Sequence, residues 1–277
     1  MAARLAGKLH GLIGLLLVAV FWPLNWFLPG FRTAYLFLPL WLGYILFVDA
    51  LVFTRRGTSL YTRSRSEFWG LFVISAPAWW LFEVINWRTK NWEYLGGETL
   101  SGFEYFLLSS ISFSTVMPAV FETAELARTF RWIDRLRPGR SVQPTNAVCL
   151  GFLAAGLVML ALTMAWPKAF YPLVWGSIVL ILEPVNIWLS RQHFLEWLRE
   201  GDWRPVIALA LGALICGFFW EMWNFKSYPK WIYHTPGAEF LYVFEMPLLG
   251  FLGYLPFAWE LFSLRSFLWP SAPRLKL

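Results

Sequence analysis

Eight stretches of mostly apolar residues set the terms for this chain. They cover 11–29, 34–53, 68–87, 103–123, 147–166, 170–189, 205–225 and 239–264. A bilayer core about 30 Å thick is crossed by roughly 20 apolar residues in an α-helix. Backbone groups inside lipid must be satisfied within the segment, so apolar runs of this length are read as helices. The expected fold is all-α, a polytopic membrane helical bundle of about eight spans. Composition agrees: 58% of the residues are hydrophobic and 14% charged, against about 25% charged in an ordinary soluble domain. A soluble enzyme and a disordered chain are both excluded on that ground.

The net charge of +6 is not the mark of a nucleic-acid surface, because the basic residues fall in short loops between apolar runs. The N-terminus, loops 54–67, 124–146 and 190–204, and the C-terminus hold 17 Lys and Arg, and the other four loops hold 6. The positive-inside rule then puts both termini in the cytoplasm of a cell whose inner membrane holds the chain. The first run follows Arg4 and Lys8 like a signal peptide. It continues into Phe21-Trp22-Pro23-Leu24-Asn25-Trp26 with no small-residue cleavage site, and it is read as a retained span.

The chain repeats itself. Glu83-Val84-Ile85-Asn86-Trp87-Arg88 matches Glu221-Met222-Trp223-Asn224-Phe225-Lys226 at an offset of 138 residues. Trp92-Glu93-Tyr94 matches Trp231-Ile232-Tyr233, and Pro118 and Glu122 match Pro256 and Glu260. Trp41 and Asp49 match Trp175 and Glu183 at an offset of 134. The expected organisation is a four-span repeat over 1–127, a basic linker over 128–146 and a second four-span repeat over 147–277. An even number of spans gives parallel halves related by a pseudo-twofold axis along the membrane normal. The linker carries Arg128, Arg131, Arg135, Arg137 and Arg140, which favour an anionic headgroup layer.

Ionisable residues inside spans are costly and usually face the bundle interior. One layer holds Glu83, Asn86, Glu221 and Asn224, with Glu104, Glu239 and Glu245 on the same side. The other holds Asp49, Glu122, Glu183 and Glu260, read mainly as anchors for helix ends near basic loops. A Glu-x-x-Asn spacing puts both side chains on one helical face. Two such faces meeting between the halves would form a paired-carboxylate site. Close carboxylates drive their pKa values apart, which suits acid–base work. Glu83, Asn86, Glu221, Asn224 and Glu245 are therefore the candidate catalytic residues. Trp87, Trp92, Tyr94, Trp223, Phe225, Trp231 and Tyr233 are the candidate walls of the substrate pocket, and aromatic faces also favour a cationic ligand or intermediate. The simpler alternative has each Glu reaching interfacial water or pairing with Arg88 or Lys226.

Span eight contains Pro247, Gly250, Gly253 and Pro256, and interior prolines break a helix. A broken span either lines a cavity, with Glu245 re-aimed at it, or packs as a kinked helix through its glycines. Span four holds only Pro118, so the second half is the stronger candidate for the main site. His10, His193 and His234 lack metal-ligand spacing, and no metal or cofactor is expected. Cys149 and Cys216 lie in apolar runs and read as packing residues. Arg55, Arg56, Arg63 and Arg65 read as a topology signal before a phosphate site. Most of the tryptophan surplus reads as interfacial belt and core.

The stretch Phe244-Glu245-Met246-Pro247-Leu248-Leu249-Gly250-Phe251 with Pro256 and Glu260, and the stretch Trp79-Trp80-Leu81-Phe82-Glu83-x-x-Asn86, resemble an uncharacterised bacterial polytopic membrane protein family. Trp231-x-Tyr233 ahead of Glu245 and Pro247 also resembles the lycopene cyclase-type carotenoid domains. Those are duplicated helical domains, with three-span units and a Pro-x-Glu-Glu arrangement where this chain has four-span units and none. That likeness implies an isoprenoid substrate.

Three functions stay open on the sequence. One is an intramembrane enzyme using acid–base chemistry on a lipid or isoprenoid. Another is a small-solute or proton-coupled transporter with a site between its halves. The third is a non-catalytic subunit of a membrane complex. The partner expected in each case is the lipid bilayer, with no nucleic acid.

Overall fold

The computed structural model describes residues 2–98, 100–136, 138–275 and 277, with side chains from Leu9 onward. Arg137 of the linker, and the Arg4 and Lys8 side chains of the topology count, lie outside the described residues.

The first half runs through α1 (Ala2–Phe27), α2 (Thr33–Arg56), a single turn α3 (Leu60–Arg63) and α4 (Arg65–Thr89). A short strand β1 (Trp92–Leu95) follows, then α5 (Gly102–Phe113) and α6 (Val116–Ala127). The linker contains one turn, α7 (Arg131–Asp134). The second half has α8 (Asn146–Ala165), α9 (Pro167–Phe170), a 3-10 turn (Tyr171–Leu173), α10 (Val174–Trp188), α11 (Leu195–Arg199) and α12 (Arg204–Phe225). Strands β2 (Lys230–Tyr233), β3 (Tyr242–Val243) and β4 (Met246–Pro247), a 3-10 segment (Leu248–Gly253) and α13 (Tyr254–Leu268) complete it.

Among the described residues, seven helical stretches are long and apolar enough to cross a bilayer. The protein is an integral, multi-pass membrane protein with an all-α bundle. The expected eighth continuous helix is not there. Residues 239–247 are loop and hairpin, Leu248–Gly253 is 3-10, and only Tyr254–Leu268 is α-helical. Pro247 has no N–H for a helix, and Pro256 is tolerated because it falls in the first turn of α13. The fourth span is also interrupted, between α5 and α6 at Ser114–Thr115. Pro118 occupies in α6 the same third position that Pro256 occupies in α13. Both the fourth and the last span are thus broken two residues before a proline-bearing helix position.

Local sequence explains the helix ends. Gly57, with φ of 76°, closes α2 through its N–H to the Phe53 carbonyl, a left-handed end that favours glycine. Ser64 and Thr145 cap α4 and α8, and Ser101 with Glu104 forms a capping box on α5. The first two long helices of each half pack through small residues. A Cβ on Gly14 would lie 2.6 Å from the Gly43 carbonyl oxygen, and one on Gly156 would lie 2.8 Å from that of Ser177. On their outer faces α1 and α8 expose leucines and valines such as Leu12, Leu16, Leu150 and Leu157, as a lipid-facing surface should.

The cores of the two halves interlock. Trp41 of α2 packs on Trp220 and Trp223 of α12 at 5.0 and 4.9 Å between ring centres. Trp175 of α10 stacks on Phe82 of α4 at 5.6 Å. At one end of the bundle, β1 pairs antiparallel with β2, with Trp92 opposite Tyr233 and Tyr94 opposite Trp231. At the other end, His10 meets Asp49 at 2.8 Å, Arg265 meets the buried Glu67 at 2.8 Å, and Leu275 donates to Gln192 at 3.0 Å. Both ends of the described chain therefore lie at the end opposite the ribbon, so the 239–268 segment passes through the bundle despite its breaks.

Two of the four carboxylates expected in that layer, Asp49 and Glu183, act as helix anchors, whereas neither oxygen of Glu122 has a hydrogen-bond partner among the described residues. Asp49 accepts from Ser59 Oγ at 2.7 Å and from the Tyr61 N–H at 2.9 Å, which fixes the start of α3. Glu183 accepts from the Phe194 N–H at 2.9 Å and from Ser263 at 2.6 Å, which fixes α11 in the same way. The arginines of 54–67 are engaged within the protein: Arg63 forms a two-pronged pair with Glu125 at 2.6 and 2.7 Å, and Arg55 covers Phe130. Cys149 and Cys216 are buried and unbridged.

Candidate functional site

The site begins with two asparagines that build the ribbon. Asn86 sits one turn before the end of α4, where Lys90 in a left-handed conformation stops the helix. Its Nδ2 donates to the Trp92 carbonyl at 2.8 Å, and its Oδ1 accepts from the Asn91 N–H at 2.8 Å and the Trp92 N–H at 3.3 Å. Asn224 at the end of α12 repeats this, donating to the Trp231 carbonyl at 2.7 Å and accepting from its N–H at 2.9 Å. Both asparagines are positioning residues. Each folds its strand back over the helix that carries the neighbouring glutamate.

That fold-back brings an aromatic cage onto each carboxylate. Tyr94 donates to Glu83 Oε1 at 2.6 Å, and Trp92 and Trp79 donate to the same oxygen at 3.0 and 2.9 Å. Tyr233 donates to Glu221 Oε1 at 2.6 Å, and Tyr254 donates to it at 2.7 Å. Glu221 Oε2 is buried without a hydrogen-bond partner. Burial first, and then the adjacent glutamate, push the phenols of Tyr94 and Tyr233 well above the usual tyrosine range. They stay protonated and act as hydrogen donors.

The cage rings wall one cavity of about 530 Å³ at the ribbon end of the bundle, a size typical of small-molecule sites. Trp79, Trp92 and Tyr94 come from the first half, and Trp175, Trp231, Tyr233, Tyr254 and Phe257 from the second. Trp92 stacks on Trp175 at 6.1 Å, and Phe257 meets Trp79, Phe82 and Trp175 edge-on. Among the residues that line it, Lys230 is the one with a formal charge, and it is paired with Glu245.

Apart from the two asparagines, the candidate residues separate into four groups. Trp92, Tyr94, Trp231 and Tyr233 line the cavity. Glu83 and Glu221 are fully enclosed behind its wall and hold the rings that line it, each in its own cage. Glu245 belongs to the rim through Lys230. The remaining three do not reach the cavity. Trp87 is 65% exposed, because the buried face of α4 runs through Phe82, Glu83 and Asn86 and leaves Trp87 on the far side of Glu83. Phe225, the last residue of α12, is 42% exposed and meets Phe244 at 5.7 Å between ring centres. Trp223 is buried in the core between Trp22 and Trp41.

Sequence reasoning missed Trp79 and Tyr254. Trp79 lies four residues before Glu83, the same spacing that the exposed Trp87 has after it, so spacing alone does not single it out. Tyr254 has Val116 as its counterpart at the 138-residue offset, and no repeated pattern marks it. Its ring is admitted by Gly217, where a Cβ would lie 2.4 Å from the Tyr254 ring. Among the described residues, no group of His, Cys, Asp and Glu is arranged to hold a metal ion. Comparison with known proteins finds no match to this chain among family models, curated sequences or solved structures.

Proposed function

We propose that the protein is an intramembrane enzyme that takes a lipid or isoprenoid chain into the aromatic cavity and acts on it by acid–base chemistry. One observation carries this reading: a single apolar cavity at the ribbon end is walled by tyrosines whose hydroxyls are hydrogen-bonded to the buried Glu83 and Glu221. The walls match an apolar chain. The phenol oxygens are the groups that a ligand would meet, and the carboxylates behind them orient the phenols and act as base through them: a phenol takes a proton from the ligand as it passes its own to the glutamate. The π-faces of Trp92, Trp175 and Trp231 would stabilise positive charge developing on the chain. Transport fits less well. Between the cavity and the far carboxylates the bundle is filled by the packed rings of Trp41, Tyr44, Trp220 and Trp223, which offer no polar path.

Under this reading the two halves are parallel repeats about a pseudo-twofold axis, and the W-x-Y strands pair across it. The excess of basic residues puts the opposite end, with both termini, on the cytoplasmic side of the inner membrane. The cavity then opens in the outer leaflet. The test is extraction and mass spectrometry of lipids co-purifying with the protein, followed by turnover of the lipid so identified. Full turnover in both Glu83→Gln and Glu221→Gln would rule out the acid–base role.

A further inference from the structure

The broken last span forms a hairpin with little support of its own. Among the described residues β3 and β4 pair with each other alone, Tyr242 opposite Pro247 and Val243 opposite Met246. The Leu248 N–H closes the hairpin on the Leu241 carbonyl at 2.9 Å. A hairpin this small is marginal by itself. Its two-residue turn begins at Phe244, whose φ of 59° is a left-handed value that favours glycine. The ring accounts for a phenylalanine there: it meets Phe218 and Phe225 of α12 at 5.6 and 5.7 Å between centres. The next residue, Glu245, is paired with Lys230 of β2. Two side chains at the turn thus tie the hairpin to the bundle.

The segment from Phe240 to Gly253 has two faces. Met246, Leu249, Gly250 and Leu252 line the cavity. Phe240, Leu241, Tyr242 and Leu248 lie outside that lining and are exposed. Phe218 and Phe225, against which the turn packs, are exposed apolar side chains of a membrane-spanning helix. The outward face of the hairpin therefore continues the lipid-facing surface of α12. Leu248 is exposed and Leu249 lines the cavity, so neighbouring residues of one segment meet the lipid and the cavity. Gly237 before the hairpin, with φ of 82°, and Gly253 at the end of the 3-10 segment give the backbone freedom that a hinge uses. An apolar ligand is dissolved in the bilayer and scarce in water, so a wall that faces lipid is its shortest way in.

We infer that residues 240–253 are a gate through which the ligand enters the cavity sideways from the lipid, and that the Lys230–Glu245 pair is its latch. The inference rests on the proposed function and deepens it by naming the route of entry. In the latched state Phe244 sits on α12 and the cavity is closed on that side. Release of Glu245 from Lys230 lets the turn swing outward into the leaflet that supplies the ligand.

The experiment uses the full-length protein in phosphatidylcholine liposomes and a photoactivatable isoprenoid hydrocarbon of roughly twenty carbons. Arrival in the cavity is read as label on the peptide that carries Trp92 and Tyr94, both of which line it. In Lys230→Cys with Glu245→Cys, a bis-methanethiosulfonate reagent ties the hairpin to β2, and reductant releases it. The tied protein is expected to take label on that peptide about tenfold more slowly than the same sample after reduction. Single-cysteine variants treated alike account for any reaction at the buried Cys149 and Cys216. Glu245→Gln, which frees the latch in an otherwise native chain, is expected to speed labelling by up to about fivefold, the range of a partly exposed ion pair. Equal rates before and after reduction, with native protein labelled, would overturn the gate and leave the cavity reading standing. Absence of label on that peptide in native protein would overturn the cavity reading, and the gate with it.

Discussion

Tyr233 donates its phenolic hydrogen to Glu221 Oε1 across 2.6 Å, from a strand to the helix that precedes it. Tyr254 reaches the same oxygen from α13 at 2.7 Å. One buried carboxylate thus ties three elements of the second half together. Glu221→Leu leaves two buried phenols without an acceptor, at about 1–3 kcal/mol each. Glu221→Gln keeps an acceptor oxygen and should cost markedly less. Thermal melts in detergent, followed by tryptophan fluorescence, would rank them. Equal melting temperatures for the two variants would show that Glu221 is not an anchor.

The approach of Tyr254 depends on a missing side chain. A Cβ at Gly217 would lie 2.4 Å from its ring, so Gly217→Ala must push the phenol away from Glu221. Overpacking of this kind costs about 1–3 kcal/mol. The same variant should weaken ligand retention in the cavity, since Tyr254 lines it. A variant with native stability and native ligand content would argue against the placement of the ring.

A buried ion pair joins the halves at the opposite end, where Arg265 of α13 meets Glu67 of α4 at 2.8 Å. Arg265→Met leaves a buried carboxylate uncompensated, and breaking such a pair costs about 3–5 kcal/mol. Adding Glu67→Gln should restore much of the loss. A double variant no more stable than Arg265→Met would mean that the two charges act independently.

His193 gives a pH signature outside the spans. Burial first, then Arg274 and Arg199, lower its pKa from the ordinary 6.5 to about 4. Its folded-state pKa lies below the unfolded one, so the unfolded chain takes up the proton first as pH falls. Stability is fully present above pH 6.5 and declines as pH falls from 6.5 to about 4. Melting temperatures between pH 7.5 and 4.5 should fall in the native protein and fall less in His193→Gln. Parallel curves would remove His193 as the cause.

Much of this was legible in the chain. Apolar runs of span length gave the helices, and the repeated Glu-x-x-Asn and W-x-Y patterns gave four of the cavity rings and both cage carboxylates. The limits have physical causes. Periodicity assigns a side chain to a face only within about a third of a turn, so Trp87, at the exposed edge beyond Glu83, was grouped with the pocket. The asparagines looked chemical because polar groups in lipid are costly, yet their amides are consumed in folding β1 and β2 back. Hydropathy cannot distinguish a continuous helix from a 3-10 segment and a short helix in series, which is why 239–264 read as a span.

The central claim is that the cavity at the ribbon end holds an apolar chain. Native mass spectrometry of the protein, extracted from its own membrane in mild detergent, tests it most directly when native protein is compared with Ala34→Trp and Ala238→Trp. Each variant places an indole in the cavity wall and leaves Glu83, Glu221 and the residues of their cages unsubstituted. Native protein is predicted to carry a bound lipid or isoprenoid mass that both folded variants have lost. Native protein that flies without a bound mass, or a mass equally retained by both filled variants, would contradict the account.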